Sequence, residues 1–484
     1  VAQSGLATEA ASSDAPVHVD FVQHYAAFSS TLAISRLPDA AIAAARLNLL
    51  DTLACAAAGR SAPGVAEVLE VVRGWAGAPQ AAVWCTADRL PAHHAAWANG
   101  VMAHARDYDD THDAAVLHAD VSIVPAALAA AELRGVCPGA DLLAGVAAGL
   151  ELVCRLGVAT RIGIIESGFI YSSLFGYFGA AAAAARVLGF NERDTRNTMG
   201  IAYSQAAGTH QVTRDAALTK RMQPGLAAKA AILSAELARR GVRGAQNVFE
   251  GTDGLFRTYL RDRCDTEALR EQLGTRFHFA DLSYKPYPCC RFNHAAIDAA
   301  LAIRSQPGFR PERVRRIMVG VNRQAFEAVC TPPEIRRAPR TIVQAQFSIP
   351  YAVACALADG AVQLRHYTQE ALAQPDILAL AACAECRTDP AIEAKWGRTI
   401  SPAELLVETE DAVCRARVDH PRGHAHAPMT PADFEAKLRD CLAFSGVPWP
   451  DGTAERLAVL TRRVEQLADV RELVAAVAPG AAAP

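Results

Sequence analysis

A mainly α-helical protein with a smaller α+β lid is the fold class predicted by three features of this 484-residue sequence. Alanine-rich apolar segments dominate from Val19 to about Tyr259, an alternating pattern takes over after residue 282, and amphipathic helices return after Pro428. A single hydrophobic core stops growing near roughly 250 to 300 residues, so a chain of this length divides. The order of the segments describes a large helical domain interrupted by the α+β part.

Residues 1–16, VAQSGLATEAASSDAP, lack a basic start and an apolar run and are expected to form a flexible tail. Residues 17–281 make the first part of the helical domain. LPDAAIAAARLNLLDTLACAAAG, SIVPAALAAAELRG, GADLLAGVAAGLELVCRLG, GYFGAAAAAARVLG and GLAAKAAILSAELARRG each read as a helix closed by Gly. Their small residues let helix backbones approach closely, and the absence of a fixed period argues against a solenoid. Residues 282–428 form the lid. RVRRIMVGVN alternates, placing Ile317, Val319 and Val321 on one face of a strand, and ELLVETEDAVCRARVDH reads as two strands joined by an acidic turn. HAAIDAALAIRS and QFSIPYAVACALADG are helical. Residues 429–475, including TPADFEAKLRDCLAF and GTAERLAVLTRRVEQLADVRELVAAV, are amphipathic helices that rejoin the first domain, and 476–484 is expected to be a second tail.

Apolar residues make up 51% and charged residues 20%, as in a globular chain with a large core. A net charge of -3 leaves no basic field for nucleic acid or an anionic membrane, so neither is an expected partner. No run reaches the roughly 18 uninterrupted apolar residues of a membrane span. Thirteen cysteines without an evident export signal point to reduced thiols and a cytoplasmic setting. The CxxC at Cys383–Cys386 has no partner pair at zinc spacing and is read as packing. Lysine is scarce, with five against a basic total of 48: Lys220, Lys229, Lys285, Lys395 and Lys437. An amine can lose its proton in a dry pocket and a guanidinium cannot. Lys395 and Lys437 lie among polar residues and are read as ordinary, and Lys229 as structural.

The densest polar run is HARDYDDTHDAAVLHAD, residues 104–120. Its His104, Asp107, His112 and His118 are metal-ligand types, with Asp109 and Asp110 as further oxygens, yet no HExxH, EF-hand or His-x-His motif organises them. Asp107 to Thr111 satisfies a DxDxT phosphatase pattern, which belongs after a buried strand, whereas AAWANGVMAHAR reads as helix. A solvated helix end is the bland alternative. If the helix continued, Asp107, Thr111 and His118 would fall within about 40° of one another on one face, an acid, a hydroxyl and an imidazole together.

HARDYDDTHDAAVLHADVSIVPAALA resembles the H-x-x-D-[FY]-D-D-T and H-P-S-x-x-x-x-P-A segment of the MmgE/PrpD family. SGFIYSSLFGYFGAAAAAARVLGF, TKRMQPGLAAKAAILSAELARRG, YKPYPCCRFNHAAIDAA and RVDHPRGHAHAPMTPADFEAKLRDC resemble its later motifs in the same order, across nearly the whole chain. The resemblance implies an active site containing Asp107, Thr111 and His118, with Lys220 from the T-K helix, Lys285 at the lid entrance and His294. It also implies a homodimer formed through the helical domain. Three positions depart from the pattern: Ile170 stands where a His is usual, Gln223 replaces the His after Lys220, and Cys290 replaces a lid His. His104, Asp109, Asp110, His112, Asp113 and Asp120 take supporting or solvated roles.

The family's substrates are small polycarboxylates, altered at a C–H or C–C bond next to a carboxylate. Such an anion needs nearby cations or donors, and no dinucleotide fingerprint, P-loop or cluster-binding cysteine set is present. The expectation is therefore chemistry without a cofactor or metal, with Lys220, Lys285, Arg221 and Arg291 receiving carboxylates. His118 is the favoured base because imidazole titrates near neutral pH, and Lys285 is the alternative. Asp107 orients His118, or donates a proton to a leaving hydroxyl if burial raises it. A dehydratase (a hydro-lyase) ranks first, an isomerase or epimerase second, a decarboxylase third, and a binding protein without catalysis is the contrasting class.

Overall fold

The computed structural model describes residues 19–397, 399–400 and 402–479. The tail expected over 1–16 lies outside them. Six long helices build the larger body: α1 (Asp39–Gly59), α2 (Ala92–His104), α3 (Asp120–Arg134), α4 (Gly139–Ala159), α5 (Tyr171–Val187) and α6 (Gln223–Arg239). α6 packs on α2, α3 and α5, and α4 packs on α5. α1 and α4 are long and apolar enough to cross a membrane by length and composition, but both are core helices, 72% and 94% buried within the protein.

Small residues set the closest crossing. A Cβ on Gly100 of α2 would lie 2.7 Å from the Cα of Gly225 in α6, and one on Gly225 would lie 2.5 Å from the carbonyl oxygen of Trp97. Only a pair of glycines allows this approach, and it draws the last turn of α2 toward the turn that precedes α6.

The lid is a four-stranded sheet in the order β2-β1-β3-β4, from β1 (Val314–Val321), β2 (Ala384–Thr388), β3 (Ala403–Thr409) and β4 (Val413–Val418). β1 pairs parallel with β2 and antiparallel with β3, which places Ile317 beside Ala384 and Val407. Ile317, Val319 and Val321 are fully buried, as their alternation predicts. Helices α7 (His294–Arg304) and α8 (Ile349–Asp359) pack together, with α7 also against β3 and β4. β2 was not expected. Its AECRT segment is short and mostly exposed, so it carries no alternation to read.

Two separate cores follow. The larger runs through Leu282 and Tyr284, takes in Leu364 and continues from Met429, and the smaller extends from Tyr287 to Val407. The closing helix α9 (Pro431–Phe444) lies on α1. Lys437 of α9, expected to be an ordinary polar residue, is buried and donates to Asp51 of α1 at 2.6 Å and to the carbonyl of Tyr108 at 2.7 Å. The second expected tail begins too early. The segment Arg471–Val477 is helical, Val477 and Ala478 are buried, and the Val477 carbonyl accepts from Cys85 N at 2.8 Å.

The two chain crossings between the bodies lie side by side. Ser283 and Thr111 exchange both backbone hydrogen bonds at 2.8 Å, and Tyr284 N donates to Gly423 O at 3.1 Å. Gly423 has φ 88°, and a Cβ there would stand 1.8 Å from the Tyr284 carbonyl oxygen, so no other residue fits this contact.

Candidate functional site

Helix α2 stops where the acidic run begins. Asp and Thr side chains compete with helical hydrogen bonds, and Asp107 takes φ 53°, a left-handed region that Asp enters more readily than most residues. The continuing helix on which Asp107, Thr111 and His118 would share a face therefore does not exist. The three residues belong to a loop, 105–119, and meet because that loop folds back on itself between α2 and α3.

Thr111 does its positioning through the backbone. Its pairing with Ser283 sets Lys285, two residues on, against Asp107. Lys285 Nζ donates to the Asp107 carbonyl at 2.8 Å and lies 3.3 Å from Asp107 Oδ1. Lys220 arrives from the other side by the Gly100–Gly225 crossing. Its Nζ is 3.2 Å from the same Oδ1 and donates to His104 Nε2 at 2.9 Å. Asp107 thus lies between two ammonium groups. Burial alone would raise its carboxyl, but Lys220, Lys285 and His118 outweigh burial and hold it well below the usual carboxylate range.

Asp109 organises the imidazoles. It is fully buried, and its Oδ2 is 2.9 Å from Nδ1 of both His104 and His118. Burial pushes His104 down to about 4, so the ring is neutral. Because Lys220 donates to its Nε2, the proton is assigned to Nδ1 and is given to Asp109. His118 is fixed in the same sense. Its Nδ1 also lies 2.7 Å from the Asp110 carbonyl, its backbone N–H donates to Ser172 Oγ at 2.8 Å, and its Nε2 points to Asp107 Oδ1 at 3.8 Å. Beside them Asp110 accepts from the backbone N–H of Ala119 and Asp120, and burial pushes it up to about 7.

These groups open onto a cavity of about 320 Å³ between the two bodies. Asp107, Thr111, His118, Lys220, Ile170, Cys290 and Arg291 border it. Burial, reinforced by Asp107, pushes the Cys290 thiol up to about 11, so it stays protonated. Lys285 does not border the cavity and acts there only through Asp107. Its expected alternative role as a base is not supported. Burial favours the free amine, but Asp107 and Asp109 prevail and raise its pKa, so it remains an ammonium.

Four expected contributors to substrate binding are placed otherwise. Arg221 follows Lys220 in a 3-10 turn, where successive side chains diverge by about a third of a turn; it is buried and donates to the Pro63 carbonyl. Gln223 gives its amide to the Thr209 carbonyl, and His294 is buried between Arg291 Nη1 and the Cys289 carbonyl. None of these three borders the cavity. Arg291 borders it, but its guanidinium is committed to Asp113 at 3.1 Å and to the Arg422 carbonyl.

The cations facing the cavity without a carboxylate partner among the described residues are Arg214 and Arg336, both missed in the sequence. Arg336 is oriented by the carbonyls of Thr331 and Ala328. In a chain whose basic residues are nearly all arginine, nothing marks these two. His210 was missed as well. It borders the cavity near Ile170, since Phe169 bridges Thr209 and Ile170 N donates to Gly208 O. Burial, then Arg214 and Lys220, push it down to about 4, and its Nδ1 has no partner among the described residues. The signal available was the spacing of His210 and Arg214 just ahead of Lys220.

His104, Asp107, Asp109 and His118 converge within 4.8 Å, as metal ligands would. The donor set is already occupied, however. Lys220 sits on Asp107 and His104 together, and a divalent cation there would face two ammonium groups.

The MmgE/PrpD N-terminal domain profile matches residues 23–267 and the MmgE/PrpD C-terminal domain profile residues 287–462. Similar curated proteins include a cis-aconitate decarboxylase-like protein, oryM, of Aspergillus oryzae, 28% identical over 91% of this chain and 94% of that protein. The human cis-aconitate decarboxylase is 26% identical over 90% of each chain. A cis-aconitate decarboxylase of Aspergillus terreus is 25% identical over 73% of this chain and 75% of its own length. With both halves matched, and four of the five quoted motifs bordering one cavity, the chain belongs to the MmgE/PrpD family.

Proposed function

We propose that this protein is a cofactor-independent lyase that decarboxylates an unsaturated polycarboxylate of the cis-aconitate kind. The observation that carries the reading is the fixed His118 ring. Asp109 holds Nδ1, Ser172 holds the backbone, and Nε2 faces the cavity beside Lys220. Lys220, Arg214 and Arg336 receive substrate carboxylates. The C–C bond to the carboxylate on the saturated carbon breaks and releases carbon dioxide. Its electron pair forms a new double bond, the old double bond's electrons move to the far carbon, and His118, entering the step as the imidazolium with Nδ1–H held by Asp109, gives its Nε2 proton to that carbon. The product is methylenesuccinate. Charge that develops on the conjugated carboxylate is met by cations already in place.

The names of the relatives move decarboxylation ahead of the dehydration ranked first on sequence. The charge on Asp107 supports the same order. Dehydration through Asp107 needs a protonated carboxyl to release hydroxide as water, and two lysines keep that carboxyl ionised.

The test incubates the protein in deuterated water with cis-aconitate, citrate, 2-methylcitrate and iminodisuccinate. Carbon dioxide and methylenesuccinate carrying one new C–D bond are expected from cis-aconitate. Loss of water from a hydroxy acid without carbon dioxide would establish a dehydratase instead. Deuterium entry without net product would establish an isomerase, and tight binding without turnover a non-catalytic member.

A further inference from the structure

We infer that the substrate carries an apolar arm, several carbons long, which leaves the charged centre past Ile170 and enters a second cavity behind Val116 and Ile164. The inference rests on the reading of the main cavity as the polycarboxylate site. A plain triacid offers polar surface on every side, and each carboxylate seeks a donor. Beside the cations, however, the cavity has a branched aliphatic wall: Ile164, Ile165 and Ile170 from one stretch, Val116 and Leu117 from the loop just before His118, and Ile400 from the lid. None of these side chains can hydrogen-bond. Burying a carboxylate against them costs free energy, whereas burying methylenes is favourable.

The wall has a space behind it. A second cavity of about 240 Å³ is bordered by Val116 and Ile164 as well, so these two residues form the partition between the cavities. Gly157, Val158, Ile162 and Tyr171 also border it, together with the polar residues Thr160, Arg161, Gln324 and Thr399. The partition is held in an unusual state. Val116 has φ 54°, a left-handed conformation that a β-branched residue adopts only when its surroundings force it. Gly157 supplies part of that force, because a Cβ there would come within 2.6 Å of Ala115 and 2.5 Å of Leu117, so the loop is packed directly onto bare helix backbone. The arrangement directs a valine side chain to the junction of two cavities, at the residue pair leading into His118. Ile170 belongs to the same wall. The apolar residue standing where family members usually carry an imidazole then extends the path for a hydrocarbon.

The experiment compares kcat/KM for cis-aconitate and for homologues bearing a methyl, butyl or octyl group, in the wild type and in Val158→Phe, which fills the second cavity. Each buried methylene is expected to raise kcat/KM about four-fold, the equivalent of about 0.8 kcal/mol, up to the length the cavities hold. In Val158→Phe the ratio of long-chain to unsubstituted kcat/KM should collapse. Taken within one variant, that ratio does not depend on how much of the protein folds. Turnover of plain cis-aconitate with a kcat/KM that falls along the homologues as the arm grows would overturn the inference and leave the decarboxylase reading standing, as would a Val158→Phe ratio equal to that of the wild type. Failure to turn over or bind any member of the series, by rate and by calorimetry, would overturn the polycarboxylate reading itself.

Discussion

Replacing Asp109 by Asn isolates the electrostatic part of the site. The amide oxygen can take the place of Oδ2 and still accept from Nδ1 of His104 and His118, both at 2.9 Å, so the geometry survives while the charge disappears. Two unit charges about 4 Å apart interact by about 4 kcal/mol at an effective dielectric constant of about 20. Asp107, 3.8 Å from His118 Nε2, remains and offsets part of the loss. A net loss of about 2–3 kcal/mol from the protonated ring corresponds to about 30- to 150-fold in kcat. Asp109 is fully buried and does not border the cavity, so KM should hardly move. The amide nitrogen replaces Oδ1, which has no hydrogen-bond partner among the described residues. A stability loss of about 1–3 kcal/mol is therefore expected, measured separately by urea unfolding. Initial rates at varied substrate concentration decide the matter. A variant with kcat within three-fold of the wild type, or one whose defect lies in KM, would refute the positioning role of Asp109.

Asp110 gives a pH signature. Its carboxyl is raised from 3.8 to about 7, beside Asp120, which burial raises as well. The unfolded chain releases the proton first, so Asp110 costs stability progressively as pH rises from about 4 to about 7, by up to about 4 kcal/mol. Asp110→Asn keeps the acceptor for Ala119 and Asp120 and should be more stable than the wild type at pH 8 but not at pH 4; urea curves that stay parallel across this range would exclude the effect. Gly225→Ala places a methyl 2.5 Å from the Trp97 carbonyl oxygen, so α6 must retreat from α2. A stability loss of about 1–3 kcal/mol is expected, with reduced turnover as Lys220 withdraws from Asp107, and unchanged rates would show that the crossing does not place the lysine. Lys437→Met strands a buried Asp51 and should cost about 3–5 kcal/mol in urea unfolding, most of it recovered by adding Asp51→Leu. A loss below about 1 kcal/mol would mean that the pair is solvated.

Asp107, Thr111 and His118 were legible as a group, but the helical face invoked to unite them is absent. A run of Asp and Thr supplies its own backbone acceptors and ends the helix that a face argument requires. Lys220 and Lys285 stand out because lysine is scarce, and both reach Asp107. Arg221, adjacent to Lys220 in sequence, faces elsewhere because a tight turn fans successive side chains apart, and Gln223, three residues on, is held by the Thr209 carbonyl. Asp109 read as one of six residues with supporting or solvated roles. Its importance comes from accepting two imidazole protons at once, and only folding brings His104 and His118 to the same oxygen. The long helices were readable as uninterrupted alanine-rich apolar runs and β1 as an alternating one, whereas the edge strand β2 and the buried end at Val477 and Ala478 are held by neighbours that lie far away in the chain.

The chain enters and leaves the lid at one point, where Tyr284 meets Gly423, and Ser283 ties that point to Thr111. Lys285 follows at once and is set on Asp107 by these contacts, whereas Arg336 and Phe347 border the cavity from far inside the lid sequence. The charge that anchors Asp107 and the wall that encloses the substrate space thus have separate supports, so a substitution deep in the lid can reshape the enclosure while the ammonium stays on Asp107.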